Sequence, residues 1–310
     1  MGNRKDDYQL PITNYQLPIT AMNYLLHLLI YLSIYLIVSL SLNLIVGYCG
    51  LLTLAHAGYF ALGSYVYALA TLKLGWGFMP ATILSIGIAA VLSLAVSLPA
   101  WRFRGDFFVM ITLAVQVLLF GLFYNWTALT GGALGLAGIP KPKLLGIQFD
   151  SIGAMAMLSL VLAGGCTLIC WLLLNSPWGR LLQAMRDDEL ATRALGKNTR
   201  LLKVQAFAFA CSMVAIAGVI YAAYVSYIDP SAAALDRSIL MLCMVIVGGV
   251  GNFWGPLVGA AVLVAIPEVL RFTFIPDAYA ANIRLLLYGL LLVVMMHFRP
   301  QGLAGNYRID

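Results

Sequence analysis

The run YLLHLLIYLSIYLIVSLSLNLIV, Tyr24 to Val46, decides the class of this chain, because it holds no Asp, Glu, Lys or Arg and exceeds the roughly 20 apolar residues that cross a bilayer as a helix. Similar stretches follow it. The charge-free segment extends from Tyr8 to Leu72, and others run from Leu74 to Trp101, Phe107 to Pro140, Ser151 to Gly179, Val204 to Ile228 and Ser238 to Pro267. The 310 residues are 62% apolar and 10% charged, whereas soluble domains average about 45–50% and about 25%. The chain therefore reads as an all-α polytopic membrane protein, since lipid leaves helices as the default way to satisfy the backbone. A water-soluble enzyme, a disulfide scaffold and a disordered tail are excluded.

Spans are expected near 24–46, 51–72, 78–101, 107–128, 151–175, 204–228, 238–270 and 282–298. The seventh is too long for one crossing and is interrupted by Gly248, Gly249, Gly251, Gly255 and Pro256, so it breaks into two helices or half-helices. The expectation is about 8–10 transmembrane helices, some broken or re-entrant. Orientation comes from residues 177–203, where Arg180, Arg186, Arg193, Lys197, Arg200 and Lys203 outnumber Asp187, Asp188 and Glu189, placing that loop in the cytoplasm. Arg102, Arg104, Arg299 and Arg308 then read as inside, and Lys141 and Lys143 as outside. Three spans before Arg102 would put the N-terminus outside, unless one early segment is re-entrant or broken.

The net charge of +6 belongs to cytoplasmic loops in such a protein, not to a nucleic-acid surface. Cys49, Cys166, Cys170, Cys211 and Cys243 all lie in apolar runs, where thiols behave as small hydrophobes. No ligand set for a metal accompanies them. YQLPIT occurs at Tyr8 to Thr13 and again at Tyr15 to Thr20. Residues 1–21 are read as a disordered tail, or as sequence preceding a true start at Met22, and residues 22–310 as a single transmembrane domain.

In the long polar segment SPWGRLLQAMRDDELATRALG, Ser176 to Gly196, the stretch from Trp178 onward reads as an amphipathic helix. Trp178, Leu181, Leu182, Met185, Leu190, Ala194 and Leu195 form its apolar stripe, and Gly196 is a stop signal. Such a helix lies on the membrane, docks in another protein, or is simply a surface helix. The segment resembles the coupling loop of permease subunits of ATP-binding cassette importers, most closely the LivM-type subunit of the branched-chain amino acid branch. Three further blocks are similar to that family in order: GLLTLAHAGYFALG (Gly50 to Gly63), TGGALGLAGIP (Thr130 to Pro140) and GGVGNFWGPLVG (Gly248 to Gly259), with FRPQGL from Phe298 closing the match.

The resemblance implies a coupling helix seated in a cleft of a cytoplasmic ATPase, with Arg180, Glu189, Ala191, Ala194 and Gly196 at the coupling positions. Leu190 stands where the general importer pattern has its first Ala, and the glycine comes one residue late. The resemblance also implies partners: a second related permease subunit, two ATP-binding cassette ATPase subunits and an external, periplasmic substrate-binding protein, in a bacterial inner membrane. With no G-x-x-x-x-G-K-[ST] in the chain, ATP is expected to be hydrolysed by the partners, with no cofactor bound here.

The substrate path is sought at His56, an ionisable group in an apolar run. Glu268, beside Arg271, is the acid that could serve it in a proton relay; the alternative is a histidine that fixes the start of a helix. Gly58 and Gly63 permit close helix approach. Thr130, Gly131, Gly132 and Gly135 form a loop whose amides either face a carboxylate or serve geometry alone. Gly249 and Gly251 fall where broken helices expose backbone dipoles. His27 and His297 lie near span ends. The function expected is permeation of branched-chain or other neutral amino acids. Urea or short amides, and a stand-alone secondary transporter, are the alternatives; the latter lacks intramembrane carboxylates to bind a coupling ion. A membrane enzyme finds no catalytic constellation.

Overall fold

The computed structural model describes residues 16–98, 105–144, 147–271, 277–298 and 302–304. Arg102, Arg104, Arg271's side chain, Arg299, Arg308 and the first YQLPIT copy lie outside what it describes. In chain order the helices are α1 (Gln16–Asn43), α2 (His56–Lys73), α3 (Phe78–Ser97), α4 (Asp106–Asn125), the short α5 (Thr127–Thr130), α6 (Ile152–Asn175), α7 (Pro177–Asp187), α8 (Glu189–Ala194), α9 (Thr199–Val225), α10 (Leu235–Gly248), α11 (Gly255–Arg271) and α12 (Asp277–Phe298). Two two-residue ribbons complete the description, β1 (Leu136–Ala137) on β4 (Tyr227–Ile228) and β2 (Lys143–Leu144) on β3 (Ile147–Gln148), both antiparallel.

Five of these helices are long and apolar enough to cross a membrane. The stretches around α1 and α9 are 72% buried, against 28–33% for α3, α4 and α6, so α1 and α9 are central and the other three turn large apolar side chains outward. Met79, Ile83, Val91, Phe107, Leu118 and Leu168 are among those exposed, as suits a lipid-facing surface. Between the central helices the packing is backbone to backbone. A Cβ on Gly63 would lie 2.5 Å from the Ala215 carbonyl oxygen, and one on Gly218 2.1 Å from that of Phe60. Ser64 Oγ, which donates to the Gly218 carbonyl at 2.8 Å, locks the same seam, as small residues do where helices meet in lipid.

Two crossings are interrupted in opposite senses. α1 ends in a π-helical turn, Leu44–Tyr48, beside the cytoplasmic element, where Arg186 Nη1 donates to the Gly47 carbonyl at 2.7 Å. The chain then returns inward as a non-helical segment, and α2 starts only at His56, level with Ser41 of α1. On the other side, α9 ends at the opposite face, residues 227–234 turn inward through a 3-10 turn (Pro230–Ala233), and α10 starts inside the bundle. The helix expected over 51–72 is thus shorter than a span, because residues 50–55 are used to climb back into the membrane. The break does not change the parity: residues 50–73 still cross from the α7 end to the end where Lys73 meets Ala128, so α1 starts at the face opposite residues 177–198, as three crossings require.

The expected break of 238–270 is present. α10 and α11 meet at residues 249–254, where a Cβ on Gly248 would lie 2.0 Å from the Gly255 carbonyl oxygen and one on Gly259 1.8 Å from that of Met244. One expectation is corrected. The amphipathic segment is two helices, because Asp188 adopts φ −150° and ψ 103° and caps α8, its Oδ1 accepting from the Leu190 and Ala191 amides at 2.8 and 3.0 Å. An Asp at that position stabilises a helix start more than it does a helix interior.

Candidate functional site

Where α2 and α10 begin, the bundle interior is polar. Ala55 precedes α2 and offers no side-chain cap, so the first amides of the helix need partners from elsewhere. Ala57 N donates to Ser238 Oγ at 3.1 Å, and Gly58 N to Gln116 Oε1 at 2.8 Å. The Gln116 amide nitrogen in turn donates to the Ala233 carbonyl, and Leu54 N to Thr112 Oγ1 at 3.2 Å. One buried side chain, Gln116, thereby joins α4, the start of α2 and the approach to α10. His56 is buried beside this junction, with Nε2 2.9 Å from Ser41 Oγ. Glu268 is not in that contact; it borders a cavity with His27 instead. Gly58 is required by closeness, since a Cβ there would lie 2.7 Å from Leu119 Cδ1 and 2.9 Å from Gln116 Oε1.

The amides of the Thr130 to Gly138 loop are largely engaged within the protein. Gly131 N donates to Thr127, Gly135 N to Gly132 and Gly138 N to Ser226, all to carbonyls, and Gly132 N to Thr130 Oγ1. Gly131, Gly132 and Gly135 have φ of 76°, 60° and 68°, in the left-handed region that glycine tolerates best. A Cβ on Gly135 would lie 2.1 Å from the Ile228 carbonyl oxygen. The loop is built to seat β1 against β4. The turn at 249–254 is likewise occupied: Gly251 N donates to Asn43 Oδ1 at 3.0 Å, and Asn43 Nδ2 to the Asn252 carbonyl at 3.0 Å. Gly249 adopts φ 116°, and Leu303 N and Ala304 N close the turn by donating to the Val247 and Gly248 carbonyls at 2.9 Å.

At the cytoplasmic face, Glu189 is an anchor. Its Oε1 takes Arg193 Nη2 at 2.6 Å and the Thr199 hydroxyl at 3.0 Å, and its Oε2 takes Lys203 Nζ at 2.9 Å. The Glu189 and Lys203 side chains are 9% and 3% exposed, so α8 is pinned to the start of α9 by a nearly dry ion pair. Arg186 ties α7 to α1 through Gly47. What this brace presents outward is Leu190, Ala191, Ala194, Leu195 and Gly196, together with Arg180, all exposed. Leu190 and Leu195 are 68% and 79% exposed, whereas Leu182 and Met185 of the expected stripe are buried and Trp178 and Leu181 half-buried.

Sequence reasoning passed over an aromatic groove at the other face. His27, Tyr31 and Tyr35 occupy one side of α1 at four-residue spacing, a period that stacks side chains along a helix. They face Tyr221 and Tyr224 of α9: His27 Nδ1 bonds the Tyr224 hydroxyl, and Tyr31 sits edge-on to both tyrosines with ring centroids 6.5 and 6.1 Å away. Arg237, at the start of α10, lies near Tyr35 and Tyr221. Two cavities open along this line. One, of about 350 Å³, is bordered by His27, Tyr31, Tyr224, Lys141 and Asp150; the other, of about 210 Å³, shares His27 and Tyr31 and continues to Tyr35, Leu240 and Glu268. The polarity of Gln116 in an otherwise apolar helix and the tyrosine spacing were the available signals.

A family model described as branched-chain amino acid transport system / permease component matches residues 24–296. The chain is 31% identical over 298 residues to the high-affinity branched-chain amino acid transport system permease protein LivM of Escherichia coli (strain K12), an alignment covering 89% of this chain and 68% of that protein. It is 28% identical over 320 residues to the probable branched-chain amino acid transport permease protein LivM of Methanocaldococcus jannaschii, covering 89% and 92%. A further similarity, 28% over 207 residues and covering 62% and 58%, is to the autoinducer 2 import system permease protein LsrC of Salmonella paratyphi B. No solved structure matches the chain.

Proposed function

Because this chain belongs to the branched-chain amino acid transport permease family, we propose that it forms the translocation path of an ATP-driven importer for branched-chain or other neutral amino acids, together with a second related permease subunit. Two ATPase subunits supply the energy in this reading, and an external binding protein delivers the substrate. The chain itself is a multi-pass inner-membrane protein.

The braced cytoplasmic element carries the reading. A docking surface transmits force only if it is stiffly joined to the helices that must move. Leu190 and Leu195 offer apolar side chains to a partner, while the Glu189–Lys203 pair and the Arg186–Gly47 bond tie the same element to α9 and α1. α9 is an unbroken helix of 27 residues, about 40 Å long, running from that brace to Tyr221 and Tyr224 in the groove. Closure of an ATPase dimer against α8 therefore displaces both walls of the groove at once. Recovery of two ATPase chains and a second permease with the tagged protein from detergent-solubilised membranes tests this; a chain that purifies alone and moves solute without ATP contradicts it.

A further inference from the structure

α10 begins at mid-depth in the membrane and not at one of its faces. Gln116 stands at the middle of the 20-residue α4, Asp106–Asn125, about 15 Å from either end. Its amide nitrogen donates to the Ala233 carbonyl, just before α10. Ser238 Oγ, in the first turn of α10, takes the Ala57 amide at 3.1 Å, next to the Gly58 amide that Gln116 holds at 2.8 Å. Asp236 lies between these two anchors in the chain and is exposed. Leu235 and Ile239 beside it are 39% and 46% exposed, and Arg237 is half-buried.

A carboxylate at that depth does not face lipid. Acidic groups within spans are costly there and turn to the bundle interior or to water, and Asp is too short to reach an interface about 15 Å away. In the sequence Asp236 falls between two charge-free runs, as a loop residue would. The inward start of α10 makes it an intramembrane carboxylate, which those runs do not contain.

We propose that the exposed side of the first turn of α10, formed by Leu235, Asp236 and Ile239, lines the water-filled path of the transported solute, and that Asp236 keeps water there. The proposal rests on the reading of this chain as one of two permease subunits, and it adds the surface that faces the path. A path shared by two chains leaves each wall open when one chain is taken alone. The wall is thereby moved from His56, which is buried, to the start of α10.

The test uses the complex purified with its partners, in proteoliposomes. Cysteines placed at Ile239 (I239C) or at Leu118 (L118C) are labelled with N-ethylmaleimide, which attacks the thiolate, a form that water permits and lipid does not. Leu118 lies two residues from Gln116, hence at similar depth, and is 71% exposed; the five native cysteines are buried. I239C is expected to react about tenfold faster than L118C or more, and its modification to stop leucine uptake. Adding Asp236→Leu is expected to slow labelling of I239C, whereas Asp236→Asn, polar but uncharged, keeps most of the rate. Should I239C fail as a transporter, L235C takes its place. I239C reacting no faster than L118C means that lipid or a partner covers this face and overturns the proposal; equal labelling with Asp236→Leu overturns the role of Asp236. ATP-driven leucine uptake with I239C unreactive removes this wall and leaves the importer reading standing. Uptake that needs no ATP, with I239C reactive, defeats the importer reading and leaves the wall in place.

Discussion

The Ala57 amide and the Ser238 hydroxyl, 181 residues apart in the chain, meet at 3.1 Å where α2 and α10 begin. Both helices start inside the bundle, one reached from the cytoplasmic face and the other from the opposite face. Buried helix starts leave amide donors that lipid cannot satisfy, and at α2 two of them are met by Ser238 of α10 and Gln116 of α4. The junction holds the two interrupted crossings in register and gives the bundle a polar centre.

Gln116 is the side chain on which this junction depends most. Gln116→Leu removes the acceptor of the Gly58 amide and the donor to the Ala233 carbonyl, and each buried group left unpaired costs about 1–3 kcal/mol. The melting temperature of the purified complex is expected to fall by several degrees, and an unchanged value would show that the junction has other support.

The α2–α9 seam and the outer face of α6 make opposite predictions for glycine. Gly218→Leu drives a side chain into the Phe60 carbonyl and is expected to abolish accumulation of folded protein. Gly164→Ala, where an added Cβ meets nothing within 4 Å, is expected to be neutral or to stabilise by about 0.5–1 kcal/mol, the helix preference of Ala over Gly. Membrane levels and melting temperatures of the two variants check both.

The Glu189–Lys203 pair is expected to behave as a buried ion pair. Lys203→Met alone leaves Glu189 with Arg193 as its cation and is expected to cost about 3 kcal/mol, the lower end of the range for a broken buried pair. The double variant Lys203→Met with Glu189→Leu is expected to recover part of that loss. A double variant no more stable than the single one would mean that the pair is not insulated from water.

The outward face of α8 is predicted to matter for coupling and not for folding. Leu195→Glu, at a residue 79% exposed, is expected to leave membrane levels and melting temperature unchanged and to lower ATP-driven uptake at least tenfold, the equivalent of about 1.4 kcal/mol of docking energy. Gly196→Val adds strain of about 1–2 kcal/mol, because Gly196 has φ 76° and a side chain there is unfavourable. Its uptake is expected to fall with the protein still inserted. Normal uptake by both variants would remove the docking role.

Much of this architecture was legible in the chain. Charge-free runs marked the spans, the glycines from Gly248 to Gly255 marked the break between α10 and α11, and Gly196 marked the end of the cytoplasmic helix. Other features depended on partners distant in sequence. Asp188 reads as one more polar residue on a helix face until its carboxylate is seen capping α8. Residues 50–55 are as apolar as a span, and only the position of His56 beside Ser41 shows that they climb back into the bundle. The Gly131 to Gly135 amides looked available for a ligand, and a strand 90 residues later takes up the close approach that those glycines permit. Arg237 sits one residue outside a charge-free run and escapes a search of such runs for that reason, although its nearness to Tyr35 and Tyr221 places it beside the groove.

The most direct measurement is uptake of radiolabelled leucine and urea into proteoliposomes holding the complex recovered with the tagged chain, with its binding protein outside the permease's external face and ATP supplied to the ATPases. Leucine uptake that requires ATP hydrolysis and is lost with Leu195→Glu, with no uptake of urea, is the predicted result. Uptake that proceeds without ATP, or that carries urea in preference to leucine, would contradict the account.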